Sequence, residues 1–107
     1  MANTTQILKG LLEGCILEIV NKKETYGYEI CETLIELGFE EITEGSVYPI
    51  LIRLEKKSLI HSVMKESPFG PMRKYYFLTK LGGLELQEFI DSWKKIKRNI
   101  DNVFGEM

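Results

Sequence analysis

Histidine and tryptophan each occur once in this 107-residue chain, cysteine twice and proline three times. One histidine, His61, and two cysteines without C-x-x-C spacing do not make a zinc site. The same scarcity leaves no histidine pair and no nucleophile triad, and no G-x-S-x-G, P-loop or dinucleotide fingerprint is present. The chain therefore reads as a non-enzyme with no metal and no cofactor. Cys15 and Cys31 lie in apolar surroundings and read as buried free thiols in a reducing compartment, which makes the cytoplasm the expected address. No apolar run approaches the roughly 18–20 residues that span a bilayer. The start, Met1 to Gln6, lacks a basic segment followed by an apolar one, so no secretory signal and no membrane partner are expected. There is no repeat, low-complexity tract or linker.

What is present is the composition of one globular domain: 44% hydrophobic and 28% charged residues. The net charge of −2 hides an uneven distribution. Residues 1–41 carry 3 basic and 8 acidic side chains, residues 42–80 carry 7 and 3, and residues 81–107 carry 4 and 5. Salt screens charge beyond about 8–10 Å, so only local charge reaches a phosphate backbone. The middle third is therefore the one plausible nucleic-acid face.

A first helix is expected from about Thr5 to Asn21, with Ile7, Leu8, Leu11, Leu12, Cys15, Ile16, Ile19 and Val20 at helical spacing. A polar loop, Asn21 to Thr25, leads to a second helix from about Tyr26 to Leu37, ended by Gly38. Thr43 caps a third. There Val47, Ile50, Leu51 and Leu54 form a core stripe. The opposite face holds Gly45, Pro49, Ile52 and Lys56, flanked by Ser46, Tyr48 and Arg53. A proline early in a helix clashes with the carbonyl four residues back, here that of Gly45, which lacks a side chain and can yield. A face of Tyr, Pro, Ile and Arg suits contact with a partner better than contact with water.

Leu59 to Lys65 and Met72 to Leu78 read as two strands, joined by the turn-forming Glu66 to Pro71. This places Arg73 and Lys74 at the base of a hairpin. Thr79 then caps a helix running to about Phe104. Leu86, Phe89, Trp93, Ile96, Ile100 and Val103 follow at alternating spacings of three and four, a coiled-coil seam that predicts a homodimer. Three helices, a hairpin and a long helix make a mainly α (α+β) winged helix-turn-helix with a C-terminal dimerisation helix. The expected division is 1–79 for the DNA-binding domain and 80–107 for the dimerisation helix. In such folds the second helix of the motif enters the major groove and the wing reaches flanking backbone. Ser46, Tyr48, Pro49, Ile52, Arg53, Lys56, Gly70, Arg73 and Lys74 are the candidate DNA-binding residues.

The chain resembles the PadR family of bacterial transcriptional regulators, in particular its short members with one C-terminal helix. The resemblance rests on Tyr26-Gly27-Tyr28-Glu29-Ile30, Gly45-Ser46-Val47-Tyr48-Pro49, Arg53-Leu54-Glu55-Lys56-Lys57, Leu59-Ile60 and Gly70-Pro71-Met72-Arg73-Lys74-Tyr75-Tyr76-Phe77-Leu78-Thr79, in that order. It implies repression from a palindromic double-stranded DNA operator, relieved by a small aromatic or hydrophobic effector held between paired C-terminal helices. Trp93 falls where some relatives have a stacking tryptophan. Phe89 and Ile90, with Ile7 and Leu11 of the first helix, complete the effector-binding set. Two departures stand out. Ser58 replaces a glycine that usually ends the recognition helix, and Ile52 replaces a polar or basic residue. The competing reading is a ligand-binding or protein-interaction winged-helix module without a specific DNA site.

Overall fold

A computed structural model describes residues 7–8, 10–68 and 70–105. The elements are α1 (Leu12–Lys22), β1 (Thr25–Tyr26), α2 (Gly27–Glu36), α3 (Glu44–Lys56), β2 (Ile60–Ser67), β3 (Gly70–Leu78) and α4 (Lys80–Phe104). Among the described residues these four helices accompany a three-stranded antiparallel sheet of order β1-β3-β2. This is the expected winged helix. Among the described residues no helix is long and apolar enough to cross a membrane.

The core forms where the apolar faces of α1, α2 and α3 meet. Ile16, Leu17, Ile30, Leu34, Val47, Leu51 and Leu54 are essentially inaccessible, and Leu86 joins them from α4. All four residues of the predicted α3 stripe are buried. Cys31 is also buried, but Cys15 is only half-buried, because its side of α1 opens onto a groove described below.

Several boundaries differ from the sequence expectation. The first helix does not run unbroken from residue 7, since a turn at Gly10–Leu11 precedes α1. The expected start at Thr5 lies outside the described residues. Thr25 and Tyr26 are not loop and helix start but a two-residue strand paired with Tyr76 and Tyr75. The hairpin strands run further than expected, to Ser67 and from Gly70, with a bulge between Lys65 and Ser67. Arg73 and Lys74 consequently sit midway along β3, opposite Lys65 and Met64, and not at the base.

Two helices end in the same way. After α2, Gly38 takes φ 115°, its N–H donates to the Ile35 carbonyl, and the Phe39 N–H donates to that of Leu34. After α3, Ser58 takes φ 61° while the Ser58 and Leu59 N–H groups donate to Glu55 and Leu54. Both are Schellman turns. The second places a serine in a left-handed conformation that glycine adopts without strain.

The turn after α3 also anchors α4. The Thr79 N–H donates to the Leu59 carbonyl at 3.1 Å, and the Thr79 hydroxyl is shared between the carbonyls of Ser58 (2.7 Å) and Leu59 (3.0 Å). The same hydroxyl accepts the Gly82 N–H at 2.9 Å and so caps α4, as its sequence position predicts. Gly82 passes so close that a Cβ there would collide with the Leu59 carbonyl, whereas one at Gly83 would meet only the Leu78 side chain at 3.9 Å. Gly82→Ala is expected to cost about 1–3 kcal/mol by overpacking. Gly83→Ala should gain about 0.5–1 kcal/mol from helix propensity. Urea denaturation of both variants at one protein concentration checks the pair, and equal effects would contradict this packing.

Candidate nucleic-acid interface

The exposed side of α3 follows from its buried one. With Val47, Ile50, Leu51 and Leu54 turned inward, a helical repeat of 100° per residue leaves Gly45, Ser46, Pro49, Ile52, Arg53 and Lys56 in solvent. Thr43 starts the helix in extended backbone, and its carbonyl accepts the N–H groups of Ser46 and Val47. Its side chain makes no backbone cap, because Thr43 Oγ1 is engaged with Ser46 Oγ at 3.2 Å. Pro49 is accommodated within the helix. Tyr48 leans from this face onto α2, where its ring comes within 2.6 Å of the point a Cβ on Gly27 would occupy. Glycine at position 27 is thus what allows Tyr48 to lie flat against the start of α2.

The wing stands beside this helix. Successive residues leave a strand on opposite faces, so Arg73 and Lys74 diverge and do not act as a pair. The Arg73 guanidinium lies 4.3 Å from the centroid of the Tyr26 ring, within cation–π range. Lys74 turns toward α3, where its ammonium meets Glu55 at 3.1 Å. Glu55 also accepts the Ser62 hydroxyl at 2.6 Å and thereby ties α3 to both wing strands. On the far side of the wing Lys65 is bound to Glu24 at 2.8 Å, and His61 stacks on Phe77. Gly70 is exposed at the tip.

The predicted cations therefore fall into two kinds. Lys56 and Arg73 have no carboxylate partner among the described residues. Arg53 and Lys74 each have one, Glu13 at 3.8 Å and Glu55 at 3.1 Å. Sequence reasoning missed both carboxylates, and also missed Lys57, which shares Glu13 with Arg53. Tyr26, Gly27, Tyr28, Tyr48, Ile52, Arg73, Lys74 and Tyr76 line the concavity between α2, α3 and the wing.

The residues expected to bind an effector are spread more widely. Phe89 and Ile90 line an apolar groove of about 490 Å³ with Cys15, Ile19, Leu34, Leu37 and Phe39. Burial pushes the Cys15 thiol pKa up, so it is a poor nucleophile there. Phe89 packs over Gly14, where any side chain would strike its ring. Trp93 lies one turn beyond the groove lining and is 38% exposed. Ile7 is exposed and Leu11 half-buried.

Residues 16–88 match the family described as the transcriptional regulator PadR-like family. A PadR-like transcriptional regulator from Bacillus cereus has 44% identity and a TM-score of 0.87, covering 95% of this chain and 99% of its own. A Streptococcus transcriptional regulator has 42% identity and a TM-score of 0.87, with 94% and 99% covered. A protein of Lysinibacillus sphaericus is 34% identical over 99 residues, 91% of each chain.

The helix–wing tie gives a pH signature. The Ser62 hydroxyl, and then the Lys74 ammonium, hold the Glu55 carboxyl below its usual pKa despite partial burial. The Glu55 carboxylate in turn raises that of Lys74. A depressed carboxyl stabilises the fold above its unfolded pKa, and that contribution fades as pH falls through the folded value. A raised lysine contributes below its unfolded pKa and loses this only on the far alkaline side. Both partners are over a third exposed, which discounts the pair to roughly 1 kcal/mol. Glu55→Gln should lower stability by about that amount at pH 7, and the difference should vanish below the ordinary carboxylate range near pH 4. Urea titrations across pH check this.

Proposed function

Because the chain belongs to the PadR-like family of transcriptional regulators, we propose that it is a homodimeric repressor that holds a palindromic operator and is released by a small aromatic or hydrophobic effector. The observation that carries the reading is the free face of α3, basic at one end and apolar in its middle, set beside the wing. The family consists of regulators and not enzymes. In this reading residues 1–79 act on DNA and residues 80–107 pair the subunits. The work is divided at Thr79, although Leu86 shares the common core. Ser46, Tyr48, Pro49, Ile52 and Arg53 enter the major groove, where Ile52 offers an apolar contact for a thymine methyl. Lys56 meets the backbone, and Gly70, Arg73 and Lys74 carry the wing to flanking phosphates. A regulator of transcription works where the DNA is, so the reading carries a cytoplasmic address.

Arg53→Ala and Lys56→Ala should each weaken binding to a mixed-sequence duplex several-fold and flatten the salt slope by about one unit per lost phosphate contact. Unchanged affinity in both variants would show that α3 is not the DNA surface.

The dimer reading rests on α4. Its first turns pack on α1, but every residue from 91 to 104 is exposed. Trp93, Ile96, Ile100 and Val103 lie along one side, with Ile96 50% and Ile100 45% accessible. An apolar stripe of this kind marks an interaction surface. Paired along it, two Trp93 side chains approach the dimer axis, with Phe89 and Ile90 behind them and Ile7 and Leu11 of the first helix alongside. Two indoles at that spacing clamp a flat ring through their faces. Such a ligand shifts DNA affinity only by its differential affinity for two helix spacings.

Sedimentation should show a dimer at micromolar concentration, and Ile96→Asp with Ile100→Asp should dissociate or unfold it. Planar aromatics should quench Trp93 fluorescence in the dimer and fail to do so in that variant. Equal quenching in both would assign Trp93 a packing role only.

A further inference from the structure

Glu13 lies in the first turn of α1, outside the helix-turn-helix and wing elements. Its Oε1 is 3.5 Å from Lys57 Nζ and 3.8 Å from Arg53 Nε, so one carboxylate bridges the two cations at the C-terminal end of α3. The Lys57 and Arg53 side chains are 57% and 52% exposed, so both remain accessible to solvent. An anion held between an arginine and a lysine at the end of a recognition helix has the chemistry of a backbone phosphate contact.

The two carboxylates on the basic side of the molecule differ in what else they hold. Glu55 also accepts Ser62, so releasing Lys74 loosens the wing. Among the described residues the only hydrogen bond the Glu13 side chain accepts is that from Lys57. Releasing it breaks nothing else in the fold. Its backbone, however, is firmly placed. The next residue, Gly14, lies under the Phe89 ring of α4, and Cys15 lines the apolar groove. The charge is therefore mounted on the helix that packs against α4, while the cations it holds are mounted on α3.

We propose that Glu13 is an intramolecular competitor of the DNA phosphates, occupying Arg53 and Lys57 in the free protein and giving them up when the backbone arrives. This rests on the reading of α3 as the DNA surface. It makes Glu13 an affinity-setting residue that touches no DNA. Because the grip spans two helices, it depends on the distance between α1 and α3.

The test is a double-mutant cycle on a mixed-sequence duplex, with Glu13→Gln, the double variant Arg53→Ala/Lys57→Ala, and the triple variant. An exposed pair of this kind corresponds to roughly a two- to fivefold change for each protomer engaged. Glu13→Gln should tighten binding by that factor, and the gain should shrink as added salt screens the pair. In the Arg53→Ala/Lys57→Ala background the gain should disappear. Unchanged or weaker binding by Glu13→Gln overturns the proposal. A gain that survives in the triple variant overturns it too, since Glu13 would then act only through its general repulsion of DNA. If Arg53→Ala/Lys57→Ala itself binds as the wild type does, the assignment of α3 to DNA fails first, and the competitor role with it.

Discussion

The Leu59 carbonyl is the point on which the geometry of this molecule depends. It receives the Thr79 N–H and shares the Thr79 hydroxyl, and Gly82 is pressed against it. Leu59 follows the left-handed turn that ends α3, and Thr79 joins β3 to α4. One small knot therefore joins the end of α3, the end of the last wing strand and the start of α4. No side chain fits at Gly82 beside that carbonyl, which explains a glycine three residues after the cap of α4. The left-handed Ser58 costs on the order of 1 kcal/mol, and the bonds to Glu55 and Leu54 offset it. In the proposed dimer, a change in how two α4 helices pair would start from this origin and reach α3 as a change of orientation.

Charge works against the apparent aim of the surface. A chain of net charge −2 places seven of its fourteen cations between residues 42 and 80 and then neutralises some of them from within. Glu55 accepts that cost for rigidity, since the same carboxylate tethers the wing. Glu13 has no such structural return. If α3 is the DNA surface, as proposed, neutralisation of this kind makes it bind DNA more weakly than its cations would allow and leaves more to shape and to contacts such as Ile52. In the proposed dimer two moderate half-sites then need each other, which places weight on the pairing of α4.

Elements with a strong period were legible in the sequence. The α3 stripe, the Gly38 turn, the Thr79 cap and the run of α4 to Phe104 are local, each specified by residues within a turn or two. Ser58 was visible through the family resemblance as a serine at a glycine position, which left open a left-handed serine or a different helix end; its φ of 61° decides for the first. What escaped has a common physical cause. Thr25 is wholly buried in a two-residue strand because Tyr76, distant in sequence, pairs with it, yet in sequence it ends a polar loop. The hairpin is longer than its turn residues suggest, with the Ser67 hydroxyl donating to the Pro71 carbonyl across the tip. Glu13 and Glu55 look like ordinary solvated acids, since an ion pair across 44 residues leaves no periodic trace. Arg73 and Lys74 read as one basic pair until the strand sends them to opposite faces.

In the proposed assembly two copies of this winged helix, joined through α4, grip one symmetric DNA site. Selection of bound fragments from sheared genomic DNA, followed by sequencing and footprinting of the enriched fragments, tests that claim most directly. The account predicts an inverted repeat whose two protected half-sites are centred about one helical turn apart, roughly 34–36 Å. Enrichment of an asymmetric single site, or of no sequence at all, would contradict it.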